Sequence, residues 1–304
     1  MLFRSANSNY NIVQINNVFI WAFFFRILLS LIFDTFDFRT DENIGRLGET
    51  FNPNLISHGA LFLISCIGLK KVLTDKLSII NYFQFFLAVY TIFLAASRST
   101  AISLVILFTG IIFIVISTSK SMLTRYVILL MIALFLPATV YILNNTGVGV
   151  RLVDAYYSTI YAPSQEAMFD NRLWQYIHGL DLFKENPILG IGLNNFINTG
   201  RIHIVAHSEY IVQLAECGLI GFFLWLIFYK TIVVRLIKVR SMSSEHRNIS
   251  NYFITFIVSM LFLMSSTPFY SKEEFWVILA LIIKYTETSM SFIDNTAPTD
   301  NIIA

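Results

Sequence analysis

The chain has little charge. Asp, Glu, Lys and Arg make up 13% of its 304 residues, while 56% are hydrophobic and the mean hydropathy is +0.67. Soluble domains carry about 25% charged residues, so this composition excludes an ordinary soluble protein. A formal net charge of only +2, with no block of basic residues, gives no footing for nucleic acid. No compact Cys, His, Asp or Glu spacing suggests a metal site, and no cofactor is expected. The two cysteines, Cys66 and Cys217, sit inside apolar stretches, where they read as small buried side chains and say nothing of redox compartment. A Gly-x-Ser-x-Gly nucleophile motif is missing, which argues against an intramembrane serine protease. Internal repeats and low-complexity tracts are missing too, so residues 1–304 read as one membrane domain, and the symmetry expected of a transporter or flippase is not found.

What is present is a series of apolar stretches. A bilayer core of about 30 Å needs about 20 mostly apolar residues per helix, and that length places spans near 17–33, 54–69, 78–96, 101–118, 126–143, 207–229, 251–268 and 275–290. The expected fold is an all-α, polytopic transmembrane bundle of about eight spans. Residues 54–69 make a short span, and Lys284 and Glu287 shorten the last one. Residues 1–17 are polar, carry the single Arg4 and show no small-residue cleavage site, so the first span is expected to direct insertion. Lys70, Lys71, Lys76, Lys120, Arg125, Lys230, Arg235, Lys238, Arg240, Arg247 and Lys284 fall in alternate connections with Arg4. The positive-inside rule makes that side cytoplasmic. The opposite set, containing Arg98, residues 144–206 and Lys272, then faces outward.

The insertion 144–206 is the longest polar stretch, and it ends at His207. Inside it, Asp170 reads as an N-cap, and Phe169, Leu173, Ile177 and Leu180 recur at helical spacing until Asn186-Pro187 stops them. This predicts an amphipathic helix at the membrane face, with Trp174 as an interfacial anchor. Gly190-Ile191-Gly192 predicts a turn, and alone it is weak support for phosphate binding. His207 precedes the next span, where the positive end of a helix dipole disfavours the imidazolium and leaves an imidazole able to accept a proton. An interfacial histidine marking a helix start is the simpler reading of that residue alone. Glu209 can orient the histidine or a sugar hydroxyl. Glu216 lies deeper in the same span, where it is expected to be protonated or paired, with Arg26 the cation of comparable depth and the pair structural. Arg98, in the short connection Ser97-Arg98-Ser99-Thr100, suits a bidentate contact to phosphate, or else snorkels to headgroups.

Taken together, Ser97-Arg98, Asn171-Arg172-x-Trp174, Asn186-Pro187-x-x-Gly190-x-Gly192, Ala206-His207-Ser208-Glu209-Tyr210 and Ala215-Glu216-x-Gly218-x-x-Gly221 resemble the O-antigen ligase and O-antigen polymerase superfamily of bacterial surface polysaccharide assembly. Gly45-Arg46 and Phe51-x-Pro53-Asn54 are similar to that family's outer-loop pattern, so the likeness spans roughly residues 45–225. Ser208 stands where asparagine is more usual. The resemblance implies a bundle of the GT-C type in the bacterial inner membrane, with its active site toward the periplasm or cell exterior. It implies transfer of a glycan from an undecaprenyl-pyrophosphate-linked donor, without metal or nucleotide. His207 maps onto the family's base, and Arg98 and Arg172 onto its donor-binding arginines; Glu209 and Arg46 are supporting or acceptor-side candidates, with Arg201 next. The expected activity is polymerisation of lipid-linked repeat units. The alternative is ligation to lipid A-core or protein, and a lipid-linked glycan flippase is the reading from another class. Implied partners are the donor, a glycan or lipid A-core acceptor, the bilayer and a chain-length regulator.

Overall fold

The computed structural model describes residues 8–33, 53–95, 97–118, 172–199, 206–269 and 272–296. Among these residues all regular structure is helical: α1 (Ser8–Phe33), α2 (Pro53–Thr74), α3 (Ile79–Leu94), α4 (Arg98–Thr118), α5 (Arg172–Glu185), α6 (Glu209–Arg240), α7 (Ser244–Met264) and α8 (Glu273–Thr296), with a single 3-10 turn at Ile197–Thr199. Four stretches, Ile12–Ile32, Asn54–Thr74, Glu209–Arg240 and Ser244–Met264, are long and apolar enough to cross a bilayer. The chain is a polytopic, helical membrane protein. Each span expected from hydropathy meets a helix except 126–143, which lies outside the described residues, as do 144–171 and 200–205 of the polar insertion.

α2 is the centre of the bundle and packs against α1, α3, α4 and α7. Its residues Ala60, Leu61, Phe62, Leu63 and Ile64 are all buried, as a helix apolar on every side requires when protein surrounds it. Hydropathy alone made this span short, because it stops at Lys70. The helix nonetheless begins at Pro53, where a missing N–H costs nothing, and continues past both lysines to Thr74. Their stems extend the ammonium groups beyond the apolar edge, and Lys71 Nζ meets Asp75 at 2.7 Å. Ser78 then starts α3, its hydroxyl accepting from the Asn81 N–H while the Asn81 side chain accepts from the Ser78 N–H. At the periphery, Trp21, Phe25 and Leu29 of α1 and Ile220, Phe223 and Leu224 of α6 are exposed. Apolar surface of that extent belongs against lipid.

α6 corrects two expectations. It reaches Arg240 rather than residue 229, and it is not an unbroken span, because Gly218 adopts φ 62°, ψ −166° inside it. Thirty-two residues of continuous helix would measure about 48 Å, well beyond the roughly 30 Å of the hydrocarbon core. The break leaves Glu209–Cys217 as a half-helix and gives the rest of α6 a length suited to one crossing.

Several polar ties gather one end of the bundle. The Ser57 and Thr100 hydroxyls lie 3.0 Å apart, and Thr100 also meets Ser97 at 2.9 Å. Phe269 N–H donates to Glu209 Oε2 at 2.6 Å. Tyr210 OH donates to Leu261 O at 2.8 Å, and the Arg26 guanidinium pairs with Glu274. These contacts set the starts of α2, α4, α6 and α8 beside the end of α7 and the last turns of α1.

Candidate functional site

At this end His207 occupies the position before Ser208, which has extended geometry (φ −160°) and caps α6 without a side-chain bond. What fixes the segment is backbone bonding to α5. His207 N–H donates to Gln175 Oε1 at 3.2 Å, and Tyr176 OH lies 3.1 Å from the His207 carbonyl and 3.3 Å from that of Ser265. The histidine is half-buried between a fully buried Ala206 and a buried Ser208, so its main chain is held while the residue still reaches the surface.

The surface of α5 follows the interfacial expectation. Trp174, Ile177 and Leu180 are exposed, whereas Gln175, His178, Gly179 and Leu182 are buried. The apolar stripe therefore faces outward, as suits an interfacial helix. The polar and small face grips the protein through the His207 segment, through His178 Nε2 to Thr199 Oγ1 at 3.0 Å, and through the approach of Gly179 to Ile211.

The segment Pro187–Phe196 docks onto the break in α6. A helix interrupted at Gly218 frees the carbonyls of Ala215 and Glu216 and the N–H groups of Leu219 and Ile220. The loop satisfies all four: Ile191 N–H donates to Ala215 O (3.0 Å), Gly192 N–H to Glu216 O (2.9 Å), Leu219 N–H to Pro187 O (2.9 Å) and Ile220 N–H to Ile188 O (3.3 Å). At membrane depth, irregular backbone persists only where protein supplies such partners. The two strands of backbone lie so close that a Cβ on Gly218 would come within 2.4 Å of Ile188 O, and one on Gly190 within 2.4 Å of Glu216 O. Gly190-x-Gly192 is thus a turn, as expected, and also the surface that meets Gly218. Leu182, Phe196, Ala206, Val212 and Ala215 close a small apolar core beneath it.

Glu216 is buried, and its carboxylate accepts from Asn194 N–H at 2.9 Å and Phe196 N–H at 3.1 Å. The expected pairing with Arg26 is therefore corrected: Arg26 pairs with Glu274, and Glu216 is held instead by backbone N–H groups of the docked loop. Glu209 is buried as well, receiving Gln213 Nε2 at 2.8 Å together with the Phe269 N–H, so it ties α6 to the α7–α8 connection. Arg98 and Arg172 are placed by their backbone as the first residues of α4 and α5. Arg46 and Arg201 lie outside the described residues. No group of three or more metal-ligating side chains occurs among the described residues.

One feature of this end was missed in the sequence. His58, in the second turn of α2, is buried against Phe269 with a ring separation of 5.4 Å. The available signal was an imidazole in an otherwise apolar span, next to Ser57.

Residues 83–226, just under half of the chain, match the family model described as O-antigen ligase. This stretch contains α4, α5, the docked loop, His207 and the Gly218 break; the Gly45–Asn54 pattern lies upstream of it. Among curated proteins, none matches the chain.

Proposed function

We propose that the protein, whose residues 83–226 match the O-antigen ligase model, is a member of the O-antigen ligase and polymerase superfamily and an inverting glycosyltransferase of the bacterial inner membrane. It extends a surface polysaccharide from undecaprenyl-pyrophosphate-linked repeat units. The observation that carries this reading is the fixed placement of His207 beside the end of the bundle where α4 starts, within the matched stretch. In the proposed step His207 takes the proton of an acceptor hydroxyl, whose oxygen bonds to the anomeric carbon. The bond from that carbon to the phosphate oxygen breaks, and undecaprenyl pyrophosphate leaves with the electron pair. Arg98 and Arg172 stabilise its growing charge, an interaction stronger in the transition state than before it. One displacement inverts the anomeric centre, and no glycosyl-enzyme intermediate is required. Arg46 is a further acceptor-side candidate, and Glu209 supports His207 by fixing the start of α6.

Ligation to lipid A-core is the second reading, favoured by the family's own description as O-antigen ligase. A glycan flippase is disfavoured on a physical ground. Transporters use the backbone groups of broken helices to hold substrate, whereas those freed at Gly218 are occupied by the protein's own loop. Deleting the gene separates the two transferase readings. Polymerase loss is expected to leave single-repeat products on the cell surface, whereas long lipid-linked chains that never reach the outer membrane would assign the ligase.

An outward-facing His207 end is supported by Lys70, Lys71, Lys76, Lys230, Arg235, Lys238, Arg240 and Arg247, which fall toward the opposite end and are expected on the cytoplasmic side. In a background lacking Cys217, Lys184→Cys, on the solvent side of α5, is expected to react with a membrane-impermeant thiol reagent added to intact spheroplasts, and Ser241→Cys to be protected. Labelling in the reverse order would put the site in the cytoplasm.

A further inference from the structure

Beside the His207 segment, the same end of the bundle contains a small cavity lined by residues including Arg26, His58, Phe62, Phe269, Lys272 and Glu274. His58 is 4% exposed, and neither of its ring nitrogens has a hydrogen-bond partner among the described residues. A buried polar ring left this way is costly unless something fills the cavity. The charge around it is uneven. Arg26 and Glu274 neutralise one another, while Lys272 has no ion pair among the described residues, and burial and the neighbouring Arg26 charge push its ammonium below the usual lysine range. The space admits about one water-sized group, about 10 Å³, which is too little for a sugar ring and enough for one oxygen atom whose parent group stays in the mouth. A water would satisfy His58 but leave the excess positive charge. An oxyanion satisfies both.

We infer that the Arg26–His58–Lys272 cavity is a binding site for one anionic oxygen of a phosphoryl group, separate from the candidate donor arginines Arg98 and Arg172. His58 donates from its neutral ring, Lys272 supplies the net charge, and Arg26 contributes the N–H groups not engaged by Glu274. Phe269 connects this cavity to the candidate transfer site, with its ring on His58 and its N–H on Glu209. The cavity therefore suits a phosphate on the acceptor side; that assignment rests on the transferase reading, whereas the binding itself does not.

The test uses the purified full-length protein in dodecyl maltoside, which carries no phosphate, and follows the thermal midpoint. Inorganic phosphate, glucose 6-phosphate and phosphatidylglycerol in mixed micelles are added separately, against chloride at matched ionic strength. A saturable rise of the midpoint is expected, with the half-saturating concentration increased at least tenfold in both His58→Phe and Lys272→Gln. A response to glucose 6-phosphate identifies a sugar-borne phosphate, and one confined to phosphatidylglycerol identifies a lipid headgroup. No rise beyond the chloride control in any arm, or an equal rise in both variants, overturns the site. Since no transfer is measured, failure here leaves the transferase reading standing, and an inactive protein that binds phosphate leaves this site standing.

Discussion

His207→Ala is expected to lower glycan transfer by about two to four orders of magnitude, the range a positioned general base contributes, while the protein inserts and accumulates at wild-type levels. The separation is possible because the contacts fixing this segment to α5 are made by its main chain, from His207 N–H to Gln175 and from Tyr176 OH to the His207 carbonyl. Alanine keeps both. Transfer and the detergent melting midpoint are measured on the same preparation. A variant that turns over near the wild-type rate has no need of an imidazole, and the general-base assignment would then be lost.

Gly218→Ala is expected to remove both stability and transfer. At φ 62°, ψ −166° a side chain is disfavoured by about 1–3 kcal/mol, and the added carbon would lie 2.4 Å from Ile188 O. Relief requires the loop to withdraw, which strips partners from Ala215, Glu216, Leu219 and Ile220 and from the buried Glu216 carboxylate. Each orphaned group costs about 1–3 kcal/mol, so a loss of about 3 kcal/mol or more is expected, seen as a large fall in midpoint and as new protease cleavage within residues 186–199. The variant's effect differs in kind from that of His207→Ala, since its activity falls because the site is no longer assembled. An unchanged midpoint and cleavage pattern would mean that the break is not held by the loop.

How much of this was legible in the sequence depended on the range of the interaction. The existence of a helix is a local property of apolar run length, and it was legible for α1, α2, α3, α4, α6, α7 and α8, with errors at ends such as Lys70–Thr74 and Lys230–Arg240 and with the break at Gly218 unforeseen. The amphipathic α5 was legible from its spacing and from the Asn186-Pro187 stop. Its inward face was not, because that face is selected by hydrogen bonds that Gln175 accepts from, and Tyr176 donates to, His207, more than thirty positions away. The Arg26 partner lies 248 residues off, beyond any local pattern, and nearness in hydropathy alone suggested Glu216 instead. Gly190 and Gly192 were visible as a turn, and Gly218 only as one position of a motif. Only in three dimensions do they become one feature, a loop whose backbone completes a broken helix. His58 was overlooked because the burial of its ring depends on Phe269, more than two hundred positions away.

The most direct test of the central proposal is transfer by the purified full-length protein from a synthetic undecaprenyl-pyrophosphate oligosaccharide in the presence of EDTA, with the anomeric configuration of the new linkage read by NMR. The account predicts a lengthened glycan, release of undecaprenyl pyrophosphate and inversion at the transferred carbon. Retention of configuration, or transfer that requires an added divalent metal, would contradict a single displacement driven by His207.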